Sequence, residues 1–210
     1  FRENRLVTSG DYRRTMLTLD ANPDVALEFL RPGLGARLHY ERGDGALTYQ
    51  RAEARLTARV NRGGLMYAAR LDLGITSPDA PPQQFFELGR QQNLPGYDYK
   101  EFAGDQAAVL RGAVAWMSPW MRAPVVLTPR VWLPPVAPTL SFGLQSGWTR
   151  ASNATALATV TALGSRETDD PRTSASLTLR IFGGAVGAGI ARTLDRPGPT
   201  RWFLEFGQRY

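Results

Sequence analysis

The sequence predicts an all-β fold, an antiparallel up-and-down β-barrel whose strands span a membrane. Three observations predict it. Apolar and polar residues alternate along many segments, aromatic residues lie near the ends of those segments, and no apolar run approaches the roughly 20 residues of a membrane helix. Alternate residues of a strand point to opposite faces of a sheet. A membrane barrel needs an apolar face toward lipid and a polar face toward a wet interior.

The final stretch, residues 201–210, shows the alternation that the other strands repeat. One of its faces is largely apolar with aromatic ends, and the other face carries charge. An edge strand of a soluble sandwich would alternate in the same way, so this stretch alone does not decide between the two folds. The apolar face would carry Trp202, Leu204, Phe206, Gln208 and Tyr210.

The first strands are less regular. Residues 12–20 alternate weakly, and residues 25–29 form either a short strand or a loop before a Pro-Gly pair. Residues 34–41 alternate clearly, and a turn is expected at residues 43–45 because of its two glycines.

Residues 51–60 give the clearest strand. Their alanines and charges could also suggest a helix, but a helix would scatter the arginines around its circumference, whereas a strand separates the two classes cleanly. A turn at residues 61–64 then leads into residues 65–76, so these segments form a hairpin with an apolar outside and an ionic inside.

Residues 77–105 form a long loop that is rich in proline, glutamine and aromatic residues. A loop of this length in a compact domain is usually functional or packs in a cavity. We expect it to fold into or over the interior of a single barrel domain that comprises residues 1–210.

The second half of the chain supplies the remaining strands, which brings the number to about ten. Residues 150–173 connect two of them and end in an exposed charged turn. The regular meander favours an up-and-down barrel over a Greek-key sandwich. The predicted strands are residues 108–116, 125–133, 140–149, 175–181, 186–190 and 201–210.

The face opposite the apolar sets is strongly charged. A soluble barrel would place these charges on water and the apolar face in its core, with identical alternation. Aromatic residues near strand ends, which resemble the interfacial girdles of membrane barrels, favour the membrane version. The predicted inward charges are Arg37, Glu41, Arg51, Glu53, Arg55, Arg59, Arg70, Asp72, Arg111 and Arg180.

Composition narrows the possible functions. The chain has no cysteine, one histidine and one lysine, so disulfides, thiolate sites and multi-histidine metal sites are excluded. The net charge of +6 comes from arginines that alternate along strands and do not cluster, which argues against nucleic-acid binding. The chain starts at Phe1, so we expect either that a leader was removed or that the chain is a fragment.

Residues 85–116 read FFELGRQQNLPGYDYKEFAGDQAAVLRGAVAW. This segment resembles the central loop and following strand of the BamA/TamA-like bacterial surface-antigen superfamily of outer-membrane barrels. The end of the chain is also similar to that family's closing strand, with Gly207 fourth from the end and Tyr210 last. The loop residues that match are Phe86, Leu88 and Gly89 in the first element, Gly96 and Tyr97 at the tip, and Gly104 and Asp105 in the final pair.

Two features depart from that family. Its tip arginine corresponds here to Pro95, which offers no charge, so Arg90 or another arginine would have to replace that interaction. Family barrels have sixteen strands, and this chain supplies about ten. The chain is therefore expected to be the C-terminal part of a larger barrel, or else a smaller closed barrel.

The resemblance implies a location in the bacterial outer membrane, contact with its lipid, and a role in inserting or translocating polypeptides or lipids. Two alternatives remain. One is a plugged anchor for a periplasmic domain or other subunits of an envelope complex, and the other is a passive channel whose arginines favour anions.

The sequence predicts no enzyme, cofactor or metal. His39 lies among charged residues and lacks a serine partner. The acidic residues near 167–170 fit an exposed turn better than a calcium site. The glycines of residues 183–189 fit a tight barrel wall better than a phosphate loop, since no helix pattern or lysine follows them.

Overall fold

A computed structural model describes residues 7–23, 32–90, 93–121, 123–128, 131–133, 135–182 and 185–206. Nine antiparallel strands form one large sheet within these residues. The short strand or loop expected at residues 25–29 and the last four residues of the strand expected at 201–210 lie outside the described residues. The nine strands are β1 (Tyr12–Ala21), β2 (Gly33–Gly45), β3 (Tyr49–Arg62), β4 (Leu65–Thr76), β7 (Gln106–Met117), β10 (Thr139–Arg150), β11 (Arg172–Ile181), β12 (Val186–Thr193) and β13 (Arg201–Phe206).

These strands lie side by side in the order in which the chain makes them, and every neighbouring pair is antiparallel. The all-β, barrel-like meander is therefore confirmed. Among the described residues no pairing joins β1 to β13, so each remains an edge of the sheet.

Two smaller hairpins interrupt the meander. Strands β5 (Phe86–Leu88) and β6 (Phe102–Gly104) pair within the 77–105 loop, which also contains a short 3₁₀ helix, Pro82–Gln84. Strands β8 (Val125–Thr128) and β9 (Val131–Leu133) pair with each other where the sequence predicts a single strand. The long run of β-branched residues fits both arrangements, and only the chain reversal between the two strands separates them.

The β3–β4 hairpin shows how the sequence sets the register. Gly63 and Gly64 both have positive φ, 59° and 80°, as a two-residue hairpin turn of the favoured twist requires. Arg62 consequently pairs with Leu65, and every later residue of β4 has its partner in β3 fixed. The turn between β2 and β3 lies at residues 46–48, slightly later than the sequence predicts.

The two faces of the large sheet differ as predicted. Leu56 and Leu144 are 54% and 45% exposed, and Leu71 on the same face is half-buried. The side chain of Arg70, by contrast, is only 15% exposed and that of Arg180 only 7%. The apolar face therefore points outward, and the guanidinium face points to the concave side of the sheet.

One helix, α1 (Ala154–Ala162), follows β10 and is not predicted from the sequence. The side chain of Asn153 caps it by accepting a hydrogen bond from the backbone N–H of Ala156. Its small residues give a weak apolar stripe in which only Ala156 and Val160 are buried. In the part of the chain that the structure describes, no helix is long and apolar enough to cross a membrane.

Candidate functional site

The ten charges predicted to point inward lie on one face of the large sheet, as the strand register shows. Arg37 is opposite Arg55, Arg55 is opposite Asp72, and Arg70 is opposite Arg111. Seven of the ten line a cleft of about 660 Å³, together with Glu205 and uncharged residues of the long loop and later strands. The seven are Arg51, Glu53, Arg55, Arg70, Asp72, Arg111 and Arg180. Their function as a site stays a prediction.

Three arginines converge on one carboxylate in this cleft. Asp72 accepts hydrogen bonds from Arg55 Nε at 2.6 Å, from Arg70 Nε at 2.9 Å and from an Nη atom of Arg111 at 2.5 Å. All four side chains are 15–28% exposed, so the cluster borders water without being fully solvated. Charge-assisted bonds of this kind are stronger than neutral ones.

A second ionic cluster lies nearer the last strand. Arg180 is within 3.0 Å of Glu205 on β13, and it donates to the hydroxyl of Ser141 at 2.6 Å. Gly187 lies between the two charged residues in the register, and its lack of a side chain leaves room for the ion pair. This arrangement explains why position 187 of β12 is a glycine.

The remaining inward charges also have partners. Arg37 pairs with Asp20 at 2.6 Å, and Glu41 accepts a hydrogen bond from the Tyr49 hydroxyl. Arg59, also on this face, is only 8% exposed. The Arg51 guanidinium pairs with Glu53 at 2.7 Å and lies 4.3 Å from the ring centroid of Phe86, which connects the sheet to the long loop.

The 77–105 loop packs against this charged face and carries much of the buried apolar surface. Leu94, Tyr97 and Phe102 are fully buried and form one cluster with Leu88 and Val109. Gly147 of β10 makes room for them, because a Cβ there would lie 2.9 Å from a methyl carbon of Leu88 and another of Leu94. The core therefore lies between loop and sheet.

A second cluster connects the loop to helix α1. It contains Phe85 and Ala103 from the loop, Tyr49 and Leu47 near the start of β3, and the two buried helix residues. The helix therefore covers the loop end of the sheet, where the apolar residues are shielded from water.

Gly104 and Asp105, at the end of the loop, form a buried clamp that holds the loop to residues at the end of β10. Asp105 is 1% exposed, and it accepts hydrogen bonds from the backbone N–H and the hydroxyl of Ser152. Gly104 lies so close to β10 that a Cβ would be 2.8 Å from the backbone nitrogen of Arg150. Contacts with Arg150 and Ser152, at the end of β10, therefore explain why position 104 is a glycine and position 105 an aspartate.

The tip of the loop is held by ionic contacts to distant parts of the chain. The hydroxyl of Tyr97 donates to Asp195, and Glu101 accepts hydrogen bonds from Arg166 at 2.6 Å and Arg196 at 2.8 Å. We call this group the loop latch; it also includes the Asp98–Arg201 pair at 2.9 Å and the Arg172–Asp195 pair at 3.1 Å.

The loop latch is relevant to Pro95, the residue that stands where the resembling family has its tip arginine. Among the described side chains of the latch, the loop contributes the carboxylates Asp98 and Glu101, and the arginines come from elsewhere in the chain. The charges are therefore reversed: here the loop supplies the carboxylates, whereas a loop with a tip arginine supplies the cation. Arg90 lies at a backbone φ of 60° and pairs with Leu94 through the backbone.

The latch shifts the protonation of its groups. Burial alone would raise the pKa of Glu101, but the backbone N–H of Asp98 and the guanidiniums of Arg166 and Arg196 hold that pKa below its usual range. Burial opposes the shift at Asp195 too, where Tyr97 and Arg172 lower the pKa of the carboxyl. Burial and the neighbouring carboxylate raise the pKa of Tyr97.

The Glu101 contacts should make stability depend on pH. A carboxyl whose pKa is lowered by folding stabilises the protein above its unfolded pKa, here about 4.5, and loses that effect as the pH falls through the folded value. We expect Glu101→Gln to lower the Tm by roughly 2–4 °C at pH 7, about 1 kcal/mol after allowing for the exposure of Arg166 and Arg196.

That difference in Tm should shrink steadily as the pH falls below about 4.5. Circular dichroism melts of both proteins in detergent from pH 7 to pH 3 would measure it. A difference that stays constant over this range would show that Glu101 acts through packing and not through its charge.

In the described part of the chain, His39 makes no hydrogen bond to a serine. One of its ring nitrogens is 2.9 Å from the hydroxyl of Thr18 and the other is 3.6 Å from Glu41. Over the described ranges, no group of three histidine, cysteine or acidic residues is placed to hold a metal ion.

Sequence reasoning missed the partners of the latch. Asp195 and Arg196 fall in the β12–β13 connection, 98 and 95 residues from the loop residues that they contact. Their only local signal is a charged Leu-Asp-Arg-Pro turn, which looks like an ordinary exposed connection. The pairing becomes visible only once the meander brings both loops to one end of the sheet.

The fold and the site define a class of protein: an antiparallel, barrel-like sheet with an exposed apolar face and an opposite, ionic face that holds a long loop. The solved structure of CdiB from Acinetobacter baumannii has a similar fold, with a TM-score of 0.51 and 18% sequence identity. The similarity covers 81% of this chain and 29% of the CdiB chain, so this chain spans under a third of CdiB. No protein-family model and no curated protein sequence matches the chain.

Proposed function

We propose that the chain forms part of an outer-membrane β-barrel, resembling the BamA/TamA-like superfamily, that helps to insert or translocate polypeptides or lipids. The observation that carries the proposal is the division of the sheet into an exposed apolar face and a paired ionic face. Water would solvate such an ionic face better than such an apolar one, so the pattern fits a sheet that encloses water and faces lipid.

The edges of the sheet support a closed barrel. Every described residue of β1 is exposed, and its outer edge has no partner in the described chain. An unpaired strand edge is very costly in lipid, because each unsatisfied backbone group costs several kcal/mol. The edges would therefore pair with further strands or with each other, and CdiB offers a β-barrel as the comparison.

The latched loop supports a gating role within that barrel. The body of the loop is held by the buried apolar cluster and by Asp105, whereas its tip is held by ionic contacts that are partly exposed. In a plugged anchor, the loop would only have to occupy the interior of the barrel. A translocating barrel would need it to hold a defined position and to leave that position.

The proposal is tested by reconstituting the native protein in liposomes and adding an unfolded eight-stranded outer-membrane barrel protein. We expect the substrate to become protected from protease faster than in protein-free liposomes. Gly96→Ala should slow this, because a Cβ at Gly96 would lie 2.7 Å from the backbone nitrogen of Thr193 and displace the loop tip. Overpacking of this kind costs about 1–3 kcal/mol.

Gly112→Ala on β7, outside the loop, is the matched control and should leave insertion unchanged, because a Cβ there would come no closer than 4.0 Å to the carbonyl oxygen of Leu144. Equal insertion rates with and without the native protein would contradict the proposed role and favour the anchor. Rapid insertion that Gly96→Ala leaves untouched would keep the role but remove the loop from it.

A further inference from the structure

The large sheet places arginine opposite arginine twice. Arg37 faces Arg55 across β2 and β3, and Arg70 faces Arg111 across β4 and β7. Like charges directly opposite each other destabilise a sheet, so both pairs need negative charge close by. Arg37 has Asp20 for this purpose, but the other three arginines share Asp72.

One carboxylate cannot match three guanidiniums. Its two oxygens offer about four lone-pair sites, while each guanidinium carries five N–H donors in a planar fork. The cluster of three arginines and Asp72 therefore carries two positive charges in excess. Its donors outnumber the acceptor oxygens at its centre.

Among the described side chains that line the cleft, no carboxylate is left over to offset this charge. The other carboxylates that line the cleft each have a cation of their own. Gln145, which lies beside Arg111 on the neighbouring strand β10, is neutral and donates to Ser176 at 3.0 Å. The positive charge thus faces about 660 Å³ of open space. The pairs in question are Arg51–Glu53, Lys100–Glu87 and Arg180–Glu205.

We propose that Arg55, Arg70 and Arg111 form an oxyanion-binding site in the cleft, with Asp72 as an internal competitor for the ligand. The ligand class is a phosphate or carboxylate oxyanion, whose planar or tetrahedral oxygens match the donor forks of arginine. Such an oxyanion could be a free ion or a side chain of a polypeptide in the cleft. Binding of a free ion does not depend on the proposed transport function.

The test titrates the native protein in detergent with inorganic phosphate, using sodium chloride to hold the ionic strength constant. We expect saturable binding by calorimetry and a rise in Tm with phosphate. Arg70→Gln and Arg111→Gln should each weaken phosphate binding about tenfold, because each removes a charge-assisted hydrogen-bond donor. Asp72→Asn should tighten it about tenfold, because the internal competitor loses its charge.

Asp44→Asn is the matched control, since it neutralises an exposed aspartate that pairs with Arg42 outside the cleft, and it should leave phosphate binding unchanged. A short polyglutamate peptide that displaces phosphate would identify polypeptide carboxylates as ligands, and failure to displace it would restrict the site to free ions. Two results would overturn the site. One is a Tm of the native protein that phosphate does not raise, and the other is identical isotherms for the native protein, Arg70→Gln and Asp72→Asn.

Discussion

Replacing Leu56 with arginine is expected to destabilise the protein in a lipid bilayer by about 2–4 kcal/mol. Leu56 lies near the middle of β3, is 54% exposed and points away from the ionic face. If that side meets acyl chains near the bilayer midplane, the guanidinium must be moved out of water into hydrocarbon. An exposed leucine in water would tolerate the same change within about 0.5 kcal/mol.

Equilibrium unfolding in phospholipid bilayers with guanidinium would measure this cost. Thr155→Arg on α1 is a suitable control, because that position is exposed on the helix at the loop end of the sheet and should cost little. Equal stabilities for Leu56→Arg and Thr155→Arg would mean that the apolar face is not in lipid.

Asp105→Ala is expected to cost about 3 kcal/mol and to release the end of the long loop. The carboxylate is 1% exposed and accepts from both donors of Ser152, so its removal breaks two hydrogen bonds to a charged group. Hydrogen bonds of this kind contribute about 1.5–3 kcal/mol each, and the exposure of Ser152 places these two at the low end. Asp105 directly precedes β7, so the loss should also loosen the junction between loop and sheet.

Ser152→Ala separates the two contributions. It removes the hydroxyl donor but keeps the bond from the backbone N–H, so we expect a cost of about 1 kcal/mol. Denaturant unfolding of both variants in detergent, together with protease cleavage within residues 77–105, would show the difference. A cost for Asp105→Ala that does not exceed the cost for Ser152→Ala would mean that the clamp does not hold the loop.

The strands of the sheet could be predicted because period-two alternation is a local signal. Leu56 and Arg55 alternate unambiguously, and the Gly63–Gly64 turn fixes the register of their hairpin. The direction of the faces was also predictable, since aromatic residues at strand ends favoured an apolar outside. Trp202 and Phe206 of the terminal strand are 79% and 70% exposed, as that orientation requires.

Helix α1 was not predictable from alternation, because alanines and threonines without charges give little helical periodicity. The N-cap Asn153 was the available signal. The Asp72 cluster could be predicted only in part. Its four residues were predicted to point inward, but the contacts between them depend on the register of three strands. The latch depends on loops almost one hundred residues apart, and its only local signal was a charged turn that looks like an ordinary connection.

The central claim is that the two faces of the sheet meet different solvents, and electron paramagnetic resonance of single spin labels tests it most directly. The chain has no cysteine, so single cysteines at successive positions 52–58 of β3 can each carry one label in reconstituted membranes. We expect collisions with lipid-soluble oxygen to peak at the even positions, including Leu56, and collisions with a water-soluble nickel chelate to peak at the odd positions, including Glu53. Even positions that collide mainly with the nickel chelate would show that the apolar face lies in water and would contradict the membrane barrel.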